Sequence, residues 1–138
     1  MRLRLLSSLL LACLAAPAGL AVGFGFENIT ANRASDAAIG EAQMHLDVTD
    51  AGSGIVRFAF TNSGPANSSI TDVYFDSRIT LLGGMGIVDA DQMNGDPGVD
   101  FSKGANPPNL PGANLVSPAF QATRGLSSDS DPPVQRNG

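Results

Sequence analysis

The sequence predicts an all-β fold: an antiparallel β-sandwich-like domain, expected to be incomplete at its C-terminus, behind an N-terminal signal peptide. Three observations predict the class. Apolar and polar residues alternate over Met44–Asp50 and again over Ile55–Asn62, which is the period-2 pattern of half-buried strands. Turn-forming stretches recur at short intervals, at Ala51–Gly54, Ser63–Asn67 and Gly83-Gly84, as strand-turn-strand folds require. Only Asn32–Gln43, with Ala34, Ala37, Ala38 and Ala42, has a helical composition.

The first 21 residues read as a leader, not as part of the fold. Arg2 and Arg4 open it, Leu5–Ala16 is almost wholly apolar, and small residues follow at Ala16-Pro17-Ala18 and Gly19-Leu20-Ala21. This is the three-part order of a secretory signal, cut after Ala18 or Ala21. The run is short for a bilayer span, which needs about 20 residues. Leu10-Leu11-Ala12-Cys13 also resembles a lipobox, but Leu14, Ala15 and Ala16 stay apolar where a lipoprotein turns polar.

The β domain is assigned to residues 22–103. Gly23–Thr30 reads as a first strand, with Phe24, Phe26 and Ile29 apolar. Asn32–Gln43 reads as a short helix or as a loop, with Ser35 and Asp36 as caps. The two alternating runs joined by Ala51–Gly54 make a β-hairpin. Ile70–Asp76 is a third strand, rich in β-branched and aromatic residues. Ile79–Leu82 and Gly86–Asp89 read as short strands, and Val99–Ser102 as a weaker one. The expected core is Val56, Phe58, Phe60, Val73 and Phe75, with Leu46, Val48, Leu81 and Ile87. Residues 104–138 hold Gly104, Pro107, Pro108, Pro111 and Gly112 in one short stretch. They are assigned to irregular structure, because proline cannot donate to a strand ladder.

Composition excludes several functions. The chain has 138 residues, net charge −5, one Cys, one His and no Trp. One His rules out multi-His metal sites, and one Cys rules out an internal disulfide framework. The acidic balance argues against nucleic acid as a partner, which would need a basic face. Cut after Ala21, the chain keeps 117 residues, no cysteine and a charge of −7. Val, Ile, Leu and Phe make up 27 of those 117, so the core is expected to be thin.

The densest carboxylate stretch supplies the candidate metal ligands, Asp89, Asp91, Asp96 and Asp100, for a loop-based Ca²⁺ site. An EF-hand does not fit. Counted from Asp89, position 5 is Met93 and the glycine, Gly95, falls at 7 instead of 6. The plainer reading is a solvated acidic turn, since Asp, Asn and Gly are turn residues. The same holds for Ser127–Asp131. His45 lies on the polar side of its strand, and no nucleophile elbow of the G-x-S-x-G type is present. A catalytic His45 is therefore disfavoured. Sugar platforms rely on Trp and Tyr, and Tyr74 alone counts against a glycosidase or a carbohydrate-binding module. Asn28-Ile29-Thr30 and Asn67-Ser68-Ser69 match the glycosylation sequon, which carries meaning only in a eukaryotic host.

Several segments, taken in order, resemble a known family. They are Phe26–Thr30, Ala38–Gln43, Val56–Pro65, Ser68–Asp76, Asn109–Gly112 and Asp129–Gln135. Together they look like exported bacterial PEP-CTERM proteins, which an exosortase sorts. The resemblance implies a non-catalytic protein of the cell surface or extracellular biofilm matrix. Its implied partners are signal peptidase during export, then exopolysaccharide or other surface proteins, with no cofactor. This sequence lacks the family's Pro-Glu-Pro motif, apolar span and terminal Arg cluster. Periplasmic retention is the expectation if that tail is truly absent. Missing final strands would leave β edges unpaired, and self-association is then expected. The alternative function is a Ca²⁺-dependent ligand-binding module using the Asp89–Asp100 loop.

Overall fold

The computed structural model describes residues 19–30, 33–78, 83–88, 99–105 and 108–129. Six strands, a helix and a 3-10 turn occur in the order β1 (Ala21–Gly25), α1 (Ala34–Gln43), β2 (Met44–Gly52), β3 (Ile55–Asn62), β4 (Asp72–Phe75), β5 (Phe101–Lys103), the turn Ala113–Leu115 and β6 (Arg124–Ser128). The fold is all-β, built from two antiparallel three-stranded sheets.

The first sheet has the order β1-β2-β3. Its register places Val22 beside Val48 and Phe24 beside Leu46, and then Val48 beside Phe58 and Leu46 beside Phe60. Directly opposed residues share a face, so the alternation within each strand sums to one apolar face and one polar face. The β2–β3 turn is tighter than the four-residue loop that the sequence suggests. Gly52 pairs with Ile55, and Ser53 and Gly54 have φ of 55° and 74°. A two-residue hairpin turn of the primed kind needs positive φ at both central positions.

α1 is a full ten-residue helix that runs straight into β2. Its N-cap is Arg33, with no side-chain cap bond. Ser35 and Asp36 lie inside the first turn, where the Ser35 hydroxyl donates to Asp36 Oδ1 at 3.1 Å. A carboxylate there still suits the positive end of the helix dipole.

The second sheet has the order β4-β6-β5. Its central strand, β6, lies in the segment assigned from sequence to irregular structure. The reason is visible in Arg124-Gly125-Leu126-Ser127-Ser128, which has one large apolar residue and no alternation. Gly125 is required where the chain leaving β5 crosses β6. A Cβ there would lie 2.6 Å from the Ala105 Cβ, and Gly104 N–H donates to the Gly125 carbonyl at 2.9 Å. The strand read at Val99–Ser102 is β5, shifted to Phe101–Lys103, and the first strand is Ala21–Gly25 instead of Gly23–Thr30. Gly86–Val88 forms no strand. Ile79–Leu82 and Asp89 lie outside the described residues.

The sheets meet at phenylalanines. Phe75 of β4 sits edge-on to Phe58 at 5.2 Å and to Phe60 at 6.2 Å, and Phe60 stacks on Phe26 at 6.4 Å. Among the described residues the buried apolar side chains are Val73, 8% exposed, and Val99, 5% exposed. Leu46, Val48, Phe58, Phe60, Phe75 and Ile87 are half-buried. Val56, expected in the core, is exposed, and so is its neighbour Ile55. Leu81 lies outside the described residues.

Candidate functional site

Of the four candidate Ca²⁺ ligands, Asp89, Asp91 and Asp96 lie outside the described residues. Asp100 is exposed at the start of β5. Its N–H donates to Asp129 Oδ1 at 2.9 Å, and Asp129 N–H donates back to the Asp100 carbonyl at 3.0 Å. The fold thus joins the two acidic stretches of the sequence at one point. There, Asp129 clasps the start of β5 to the end of β6, its carboxylate and its N–H both bonding the Asp100 main chain. Among the described residues no three His, Cys, Asp or Glu side chains are grouped as metal ligands.

The polar face of the first sheet carries His45 and Asp47, with Thr61 on β3 and the bare backbone of Gly23 and Gly25 on β1. Without side chains on those glycines the surface dips, leaving an open depression of about 490 Å³ lined by His45, Asp47 and Thr61. The His45 side chain makes no hydrogen bond or ion pair among the described residues. A general base needs a group that holds its tautomer and orientation, and none of the described side chains supplies that here.

The most connected polar cluster is one that sequence reasoning missed. Gln43, the last residue of α1, is buried, as is Asn62 at the end of β3. Gln43 Nε2 donates to the Ser68 hydroxyl at 2.8 Å, to the Ala66 carbonyl at 3.1 Å and to Asn62 Oδ1 at 3.3 Å. Its Oε1 accepts from Ala66 N–H at 2.8 Å. Asn62 Nδ2 donates to the Ser68 carbonyl at 2.9 Å. Ser63 N–H donates to the Gln43 carbonyl at 2.9 Å. These side chains carry no charge to transfer. They hold the loop after β3 against the helix-strand junction. Beside this loop, the buried oxygens Ser69 Oγ and Asp72 Oδ1 have no partner among the described residues. The Tyr74 hydroxyl is pushed above its usual range by desolvation and then by the Asp72 charge.

A second polar cluster fastens the segment leading into β6. Arg78 donates to Asp76 through Nε at 2.8 Å, and its Nη2 lies 2.6 Å from Oδ2. Oδ2 also accepts from Gln121 N–H at 3.0 Å, and Nη2 donates to the Ala119 carbonyl at 3.2 Å. The Arg78 side-chain bond, followed by the Gln121 N–H bond, holds the Asp76 carboxyl below the ordinary carboxylate range. A folded-state pKa below the unfolded one stabilises the fold above the unfolded value, near 4, and that contribution fades as pH falls through the folded value. Asp76→Asn is therefore expected to melt below the parent at pH 7, with the two melts converging as the pH is taken below the ordinary carboxylate range. A gap unchanged across that range would contradict the assignment.

Comparison with family models, with curated proteins and with solved structures finds no match.

Proposed function

We propose that this is an exported, non-catalytic protein of the cell surface or extracellular matrix, similar in kind to the PEP-CTERM proteins. The observation that carries the reading is the leader: Arg2, Arg4, the apolar Leu5–Ala16 and the small residues at Ala16–Ala18 lie immediately before β1. Signal peptidase is the partner during export. Ala21 pairs with Thr49 in the first sheet, so a cut after Ala18 leaves β1 whole, whereas a cut after Ala21 removes its first residue. The polar clusters around Gln43 and Asp76 hold loops in place, which suits a structural role at the surface.

The test is to express the full chain with a C-terminal reporter that is active only after export. The expected result is reporter activity outside the cytoplasm, with the released protein beginning at Gly19 by mass spectrometry. Reporter retained in the cytoplasm would overturn export. The same purified protein separates the two functional readings. A melting temperature unchanged at millimolar Ca²⁺ supports the structural reading, and a clear rise would favour the Ca²⁺-dependent module.

A further inference from the structure

We propose that β1 is a self-pairing edge, and that two copies of this chain join across a two-fold axis at Gly23 to make one six-stranded sheet from two first sheets. The inference deepens the structural role by naming the partner, and it rests on that role only for its use in the cell. Association is measured on purified protein, so it can fail while export stands, and the reverse.

Four free strand edges exist among the described residues, and they differ. β4 and β5 have four and three residues, too short to template much pairing. β3 is longer but carries Arg57, and charge on an edge discourages pairing. β1, at five residues, is only one longer than β4, but unlike β4, which carries Asp72, it bears no charge. From Gly19 to Phe26 the sequence Gly-Leu-Ala-Val-Gly-Phe-Gly-Phe has no charge and no proline. All five residues of β1 are exposed. Its outer main-chain groups have no partner among the described residues.

The sequence about Gly23 suits an isologous contact, in which one patch meets itself. In an antiparallel pair centred on Gly23, Val22 of one copy faces Phe24 of the other, and this happens twice. Both side chains belong to the apolar face, so that face continues across the axis without a break. Leu20 is 91% exposed, Val22 55% and Phe24 52%, and Phe26 also lies open. Glu27 is the first charged residue beyond the strand. In this register it faces Gly19 of the other copy, so no like charges oppose one another within a chain of net charge −5. Those four side chains offer on the order of 400 Å² of apolar surface per copy. Edge-to-edge pairing covers only the flanks of these side chains, so the buried area falls short of the roughly 1,000 Å² expected of a stable contact. The dimer is therefore expected to be a weak one that forms with rising concentration.

The test uses the full chain with Cys13→Ser, which leaves no native thiol. Sedimentation should show a monomer–dimer equilibrium that shifts with concentration. Val22→Lys with Phe24→Lys opposes two like-charged pairs across the axis and should weaken the dimer roughly tenfold or more. Val22→Lys with Phe24→Glu pairs opposite charges in the same register and should restore it. Gly23→Cys provides a check that does not depend on charge. Directly opposed residues of an antiparallel pair lie about 4.5–5.5 Å apart at Cα, within disulfide reach, so oxidation should give a covalent dimer. Val22→Cys, displaced from its own copy by two residues, should cross-link far less. A chain that stays monomeric at every concentration would overturn the proposal. So would a dimer indifferent to the double lysine change, or equal cross-linking at positions 22 and 23.

Discussion

Gln43→Ala is expected to destabilise the protein by about 3 kcal/mol, the scale for stripping partners from several buried polar groups at once. The loss is large because Gln43 is the hub of its cluster. Its removal leaves the N–H and carbonyl of Ala66 unpaired and takes a bond each from Asn62 and Ser68. Domains of this size have total stabilities of about 5–15 kcal/mol, so the melting temperature should fall by on the order of 10 °C. Gly64→Ala should reach a similar result by another route. A Cβ on Gly64 would lie 2.5 Å from both Cγ and Cδ of Gln43, so the side chain must leave its place. The two changes should therefore not add. In the Gln43→Ala background most of the cost of Gly64→Ala should disappear, and a double-mutant cycle from denaturant unfolding reads that difference. Full additivity would mean that Gly64 acts through the backbone alone, without touching the cluster.

The cluster also shows where sequence reasoning stops. β2 is legible because it has one half-buried face, so the alternation over Met44–Val48 records its burial, whereas β3 is exposed over Ile55–Arg57 and half-buried over Phe58–Phe60 whatever the alternation. Periodicity identifies a face, but it does not reveal how far a second layer reaches along it. That is why Val56 reads as core yet lies exposed with Ile55 at the hairpin end, whereas Phe58 and Phe60 on the same face meet Phe75. β6 is illegible for the opposite reason. Its place at the centre of the second sheet comes from partners on both sides, β4 and β5, and not from its own side chains. Gln43 pairs with residues 19 to 25 positions away, and a Gln at the end of an alanine-rich helix carries no mark of that. The Asp100–Asp129 clasp joins residues 29 apart. Both stretches are legible as acidic, but their meeting depends on β5 and β6 sharing an edge.

Phe75→Ala is expected to have the other large effect, because Phe75 joins the two sheets. β4 places Val73 and Phe75 on one face, two residues apart, and Phe75 is the ring that meets both Phe58 and Phe60. Truncating a core phenylalanine costs about 3–5 kcal/mol, and edge-to-face pairs add about 0.5–1.5 kcal/mol beyond the area buried. Since Phe75 is half-buried, the lower end, about 3 kcal/mol, is the expected loss. Phe24→Ala is the control: that ring is 52% exposed in the first sheet, and its truncation should cost about 1 kcal/mol or less. The shape of the unfolding curve carries further information. Among the described residues the extensive contacts between elements lie within each sheet, so this small aromatic cluster is expected to carry a large share of the coupling between the sheets. Without Phe75 the denaturant transition should broaden as well as shift, because the sheets no longer unfold as one unit. A Phe75→Ala protein that unfolds as sharply as the parent, with a midpoint no lower than that of Phe24→Ala, would show that some other contact couples the sheets.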